Sequence, residues 1–171
     1  MSLQAYQSFI DQFCQHAGLA EPRAMYDGAA FRIGATDFML RHGGARAPEM
    51  ATVYCALGAL PPPGQREAAL QRLLESNLYL FGSGSNPCFA FNPDIKQALL
   101  TCALWLGEVS GRGLLELLSR FDALANDWRT SYFLCGQEGR TAAPQNVATA
   151  RLSRSLPPHL ARAFSGLNPA A

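Results

Sequence analysis

Residues 70–106 read LQRLLESNLYLFGSGSNPCFAFNPDIKQALLTCALWL, and the change of period inside this stretch decides the fold. Over 65–80, Ala69, Leu70, Leu73, Leu74, Asn77 and Leu78 recur at helical spacing and form one broad stripe. The run Gly82-Ser83-Gly84-Ser85-Asn86-Pro87 breaks that helix. Residues 88–92 then make a brief strand, Pro93-Asp94 turns, and 97–106 is an apolar strand that Trp105 helps to fill. A helix therefore feeds an antiparallel hairpin.

Toward the N-terminus the helix is preceded by Pro61-Pro62-Pro63, which closes a long strand over 50–60. Two shorter strands come before it. Phe31 and Ile33 alternate with Ala30 and Arg32, Phe38 and Leu40 alternate with Met39 and Arg41, and Gly43-Gly44 turns the chain. The first residues form an amphipathic helix with Leu3, Tyr6, Ile10, Phe13 and Ala17 on one face, Ser2 in place for the N-cap, Gly18 as a stop, and Pro22 beyond it. Toward the C-terminus, residues 113–133 carry Leu114, Leu117, Leu118, Phe121, Ala125 and Trp128 on one face, with Glu116, Arg120, Asp127 and Arg129 off it. The predicted order is α-β-β-β-α-β-β-α. This is an α+β fold with three helices against an antiparallel sheet of about five strands.

From Gln137 onward the periodicity is lost until a weak apolar patch at Leu160, Ala163, Phe164 and Leu167. Residues 1–136 hold ten Lys/Arg against twelve Asp/Glu, whereas 137–171 holds four Arg against Glu138. One mildly acidic domain over 1–136 is thus expected to carry a basic, flexible tail over 137–171. The whole chain of 171 residues has a net charge of +1, which demands neither nucleic acid nor an anionic membrane as partner.

Enzymatic readings find little support. The five cysteines, Cys14, Cys55, Cys88, Cys102 and Cys135, are scattered without a C-x-x-C pair, and the three histidines add no zinc-type ligand spacing. They read as reduced thiols that pack as small hydrophobes in a cytoplasmic protein. Cys14 and His16 stand two apart on a helix and point in different directions, so they cannot form a nucleophile and base. The glycine-serine run lacks the Lys-Ser/Thr of a phosphate-binding loop. No signal peptide and no membrane span is visible. The expectation is a non-enzymatic binding protein without metal or cofactor.

Leu73-Leu74-Glu75-Ser76-Asn77-Leu78, the glycine-rich turn, Phe89-Ala90-Phe91, the Pro93-Asp94 hairpin and Trp128-Arg129 near the end of the closing helix together resemble the Tir-chaperone (CesT-like) family of type III secretion chaperones. The resemblance covers about residues 3–133 and is strongest from Leu70 to Arg129. It implies a homodimer that binds the N-terminal segment of a secreted effector in extended form and keeps it soluble and fit for secretion, with no cofactor and no ATP hydrolysis. The near-neutral charge and the tail past Gln137 depart from the usual pattern of that family. An adaptor of the secretion apparatus, built on the same fold and holding a folded partner, is the alternative.

Two surfaces are candidates for these contacts. Leu70, Leu73, Leu74 and Leu78 can face the sheet, while Ala69 and Phe81 widen the apolar stripe beyond what one sheet needs, so the six residues are assigned to a two-fold dimer contact. A helix simply buried in a monomer is the other reading. On the strands, the alternation sets Arg32, Met39, Arg41, Thr52 and Tyr54 opposite the core set, and these adaptable side chains are assigned to the effector segment. A merely solvated sheet face remains open beside it.

Overall fold

The computed structural model describes residues 3–80 and 87–134. The expected N-cap at Ser2, the glycine-rich turn with Phe81, Cys135 and the tail over 137–171 lie outside the described residues. Helix α1 (Leu3–Ala17) buries Tyr6, Phe9, Ile10, Phe13 and Cys14, the face that its period predicts. It ends where Gly18 takes φ +67° and the Leu19 amide donates to the Cys14 carbonyl, a left-handed stop that a side-chain-free residue adopts without strain. A short helix α2 (Pro22–Tyr26) follows, one more than the sequence suggested. Pro22 fits its first turn, where the missing amide hydrogen costs nothing, so the proline that stops α1 also starts α2.

Five strands form one antiparallel sheet in the order β1-β2-β3-β5-β4: β1 (Ala30–Ile33), β2 (Thr36–Gly43), β3 (Ala47–Ala59), β4 (Cys88–Asn92) and β5 (Gln97–Trp105). Helix α3 (Pro63–Leu80) joins β3 to β4, and helix α4 (Gly111–Ser131) closes the chain. Strand β3 is longer than its apolar run because Ala47 pairs with Gly43 across a bulge. The α+β class and the order of the five strands and three main helices agree with the sequence reading.

One face of the sheet carries the core. Phe38, Leu40, Val53, Cys55, Leu100 and Cys102 point toward α1 and α4 and are 0–1% exposed. Gly111, the first residue of α4, brings that helix onto α1: a Cβ there would lie 2.8 Å from the Phe13 amide nitrogen. Ser110 caps the helix by accepting from the Gly113 amide. At the other end Trp128 is fully buried, and its Nε1–H donates to the Ala59 carbonyl at 3.2 Å. Its indole packs edge-on against Tyr132 and Phe133.

Candidate functional site

Among the described residues, no helix packs over the opposite face of the sheet. Strand alternation delivers side chains there in rows: Met39 stands opposite Tyr54, which stands opposite Thr101, while Arg41, Thr52 and Ala103 form the next row. Arg32 and Asp37 face each other on the β1-β2 hairpin. All five residues assigned from the sequence, Arg32, Met39, Arg41, Thr52 and Tyr54, therefore share this open face. Met39, Thr52 and Tyr54 are half-buried, and Arg32 and Arg41 are exposed.

The register also adds residues that strand alternation alone did not single out. An open groove of about 300 Å³ is lined by Ala30, Met39, Arg41, Tyr54, Ala56 and Leu99. Asp37, Phe38 and Asn92 line it as well. Ala56 follows from continuing the alternation along β3. Leu99 enters only because β5 pairs directly with β3, which no local pattern reveals. Trp105, expected to fill the sheet, is 45% exposed and pairs with Met50 at the far end of the same face.

The charges on this face are unequal in standing. Arg32 Nε donates to Asp37 Oδ1 at 2.7 Å, and this bond holds the Asp37 carboxyl below the usual carboxylate range. Both partners are solvated, so the pair adds little to stability but does neutralise itself. Arg41 makes no ion pair with any described residue. Among the described residues, Arg41 is thus an uncompensated cation bordering a mainly apolar groove.

The second candidate surface splits in two. Ala69, Leu73, Ser76 and Leu80 turn inward from α3, Leu70 is half-buried, and Leu74 and Leu78 point away with 70% and 66% exposure. The sequence allows these two leucines to face the sheet and assigns them to a dimer contact; in the structure they face away from the sheet. The physical reason is the position of α3, which meets the sheet chiefly at its edge strand β4 and so buries a narrow stripe. Phe81 lies outside the described residues.

What fixes α3 to that edge is Asn77. Its Nδ2–H donates to the Phe89 carbonyl at 3.0 Å, and the Phe89 amide donates to Asn77 Oδ1 at 2.7 Å. The asparagine of the Leu-Leu-x-x-Asn-Leu motif is thus a structural fastener between helix and strand. A model of the Tir chaperone protein (CesT) family matches residues 8–129. The chain belongs to the Tir chaperone family. No curated protein matches the chain significantly. Members of the Tir chaperone family serve type III secretion as chaperones or adaptors and are not enzymes.

No group of three or more His, Cys, Asp or Glu among the described residues could hold a metal ion. No helix among them is long and apolar enough to cross a membrane. Cys55 and Cys102 are fully buried, and desolvation pushes both thiols up to about 12, far from a reactive thiolate. Cys14 contacts the Met25 thioether, while His16 Nδ1 bonds the Gln12 carbonyl, so the two residues point apart as helical spacing requires.

Proposed function

We propose that this protein is a cytoplasmic type III secretion chaperone that holds the N-terminal segment of an effector on the open sheet face and keeps it soluble and secretion-competent. The observation that carries this reading is the sheet face that no described helix covers, where Met39, Tyr54, Ala56 and Leu99 leave an apolar groove beside Arg41. A sheet that needed only to seal its own core would gain from polar residues there. Methionine and tyrosine instead offer adaptable, partly desolvated contact area to an extended chain.

The chaperone acts as a homodimer in this reading, through the exposed part of α3. Leu74 and Leu78, one helical turn apart on the same side of that helix, are 70% and 66% exposed. A two-fold axis would pair this patch with itself.

The test is affinity capture of the tagged protein from secretion-competent cells, followed by limited proteolysis and mass spectrometry of what stays bound. The expected result is a larger protein protected over a short N-terminal stretch, lost when Met39→Asp and Tyr54→Asp are combined. Capture of a partner that keeps a compact protease-resistant core would replace the effector by a folded adaptor partner.

A further inference from the structure

We propose that the groove selects an extended segment in which a carboxylate and a large apolar side chain stand two positions apart, with the carboxylate on Arg41 and the apolar group beside Met39. The inference rests on the reading that this face holds a client segment, and it names the chemistry of that segment. Asp37, Met39 and Arg41 are successive outward residues of β2. Asp37 is satisfied by Arg32, Met39 contributes to the apolar floor with Tyr54, and Arg41 remains the one groove residue whose charge has no partner among the described residues.

Outward positions on a strand repeat every ~6.6–6.8 Å, and an extended chain laid along β2 presents its own alternate side chains with that same repeat. A carboxylate over Arg41 therefore brings the residue two positions away over Met39 and Tyr54. The match holds for either chain direction. An arginine or lysine at the first position would meet Arg41 with like charge, while Asp37 is already engaged. The chain's own residues 137–171, with four Arg against Glu138, carry the wrong overall sign for this place. The occupant is consequently a separate chain with an acid-x-apolar or apolar-x-acid pattern.

A random 12-residue display library selected in parallel on the full-length protein and on its Arg41→Glu variant tests the proposal. The expected wild-type peptides carry Asp or Glu two positions from Leu, Ile, Met or Phe, and the variant should select Lys or Arg at the same spacing. For one such peptide made synthetically, Glu→Gln should weaken binding about threefold at low salt, as for a rim ion pair, and the difference should shrink in ~1 M salt. Glu→Lys in the peptide should regain binding on Arg41→Glu. Peptides that bind through Tyr54 with no acidic preference would overturn the proposal and leave the client reading standing. Selection of no peptide sensitive to Tyr54→Asp or Arg41→Glu would remove both. Arg41 is exposed, so Arg41→Glu and Arg41→Gln should retain the wild-type far-ultraviolet circular dichroism.

Discussion

Asn77 on α3 and Phe89 on β4 exchange two hydrogen bonds, with the side-chain amide of the first pairing the backbone amide and carbonyl of the second. A carboxamide carries a donor and an acceptor in the arrangement of a peptide group, so Asn77 stands in for a sixth strand at one residue of an edge. Aspartate would lack the donor, and glutamine would displace the amide by one methylene. The exchange also places the end of α3, and with it Leu74 and Leu78, relative to the sheet.

Replacing Asn77 by Ala leaves the backbone groups of Phe89, a 5% exposed residue, without their partner. The expected loss is about 1–3 kcal/mol of stability, read as a lower urea midpoint at fixed protein concentration. Asn77→Asp should lose at least as much near neutral pH and recover part of it in acid, where a protonated carboxyl regains a donor. An unchanged midpoint for Asn77→Ala would show that water serves the edge equally well.

A second fastener ties the β1-β2 turn to α4. Asp122 Oδ1 accepts from the Thr36 hydroxyl at 2.5 Å and from the Ala35 amide at 3.2 Å, and Arg129 Nη2 donates to Thr36 Oγ1 at 2.8 Å. Gly34, at φ +59°, sits so close that an added Cβ would fall 2.2 Å from Asp122 Oδ2. Gly34→Ala should cost about 1–3 kcal/mol through its backbone conformation, with a further loss from pushing Asp122 aside. Part of that further loss disappears when Asp122→Ala is already present, so the double variant should be more stable than the two single losses predict, by at least about 0.5 kcal/mol. Chemical denaturation of the four proteins reads this coupling, and strict additivity would argue against the contact.

These two fasteners mark the limit of what the amino-acid order discloses. Helix α1 is legible because Tyr6, Ile10 and Phe13 recur on one face, and the two sheet faces are legible because Phe38 and Leu40 alternate with Met39 and Arg41. The five open-face residues gather where strand parity puts them. Leu99 and Asn92 join the groove through strand order and register, which depend on contacts distant along the chain. The leucines of α3 divide as they do because the helix lies over one edge strand, a fact that helical period alone does not contain. Nothing in the helical period singles out Asp122, whose partners at Ala35 and Thr36 are 87 and 86 residues away.

The buried acids of the core make stability depend on alkaline pH. Burial pushes the Cys55 and Cys102 thiols from 9.0 up to about 12 and the Tyr6 phenol from 10.0 up to about 12. Each holds its proton more tightly folded than unfolded, so its contribution is complete below the unfolded value and is lost as pH rises toward the folded one. Stability should be level in this respect to pH 8.5 and fall above pH 9, at roughly 1.4 kcal/mol per pH unit for each thiol once the unfolded form ionises. Thermal melts between pH 7 and 10.5 read the slope, and Cys102→Ala should make it shallower than in the parent. An identical slope in both would mean that this thiol does not control the transition.

The dimer reading makes opposite demands on neighbouring leucines of α3. Leu73 is 5% exposed and belongs to the core, whereas Leu74 and Leu78, one helical turn apart, are 70% and 66% exposed. Leu73→Ala should cost about 2–5 kcal/mol as a large-to-small core change, while the molecules that remain folded still associate. Leu74→Asp with Leu78→Asp should do the reverse, because their charges enter solvent in one protomer and are buried only where two copies meet. Light scattering at micromolar concentration should then give twice the chain mass of 18.5 kDa for the parent and for folded Leu73→Ala, and the single chain mass for the double variant. A parent of single-chain mass would remove the dimer, and an associated double variant would move the contact away from this side of α3.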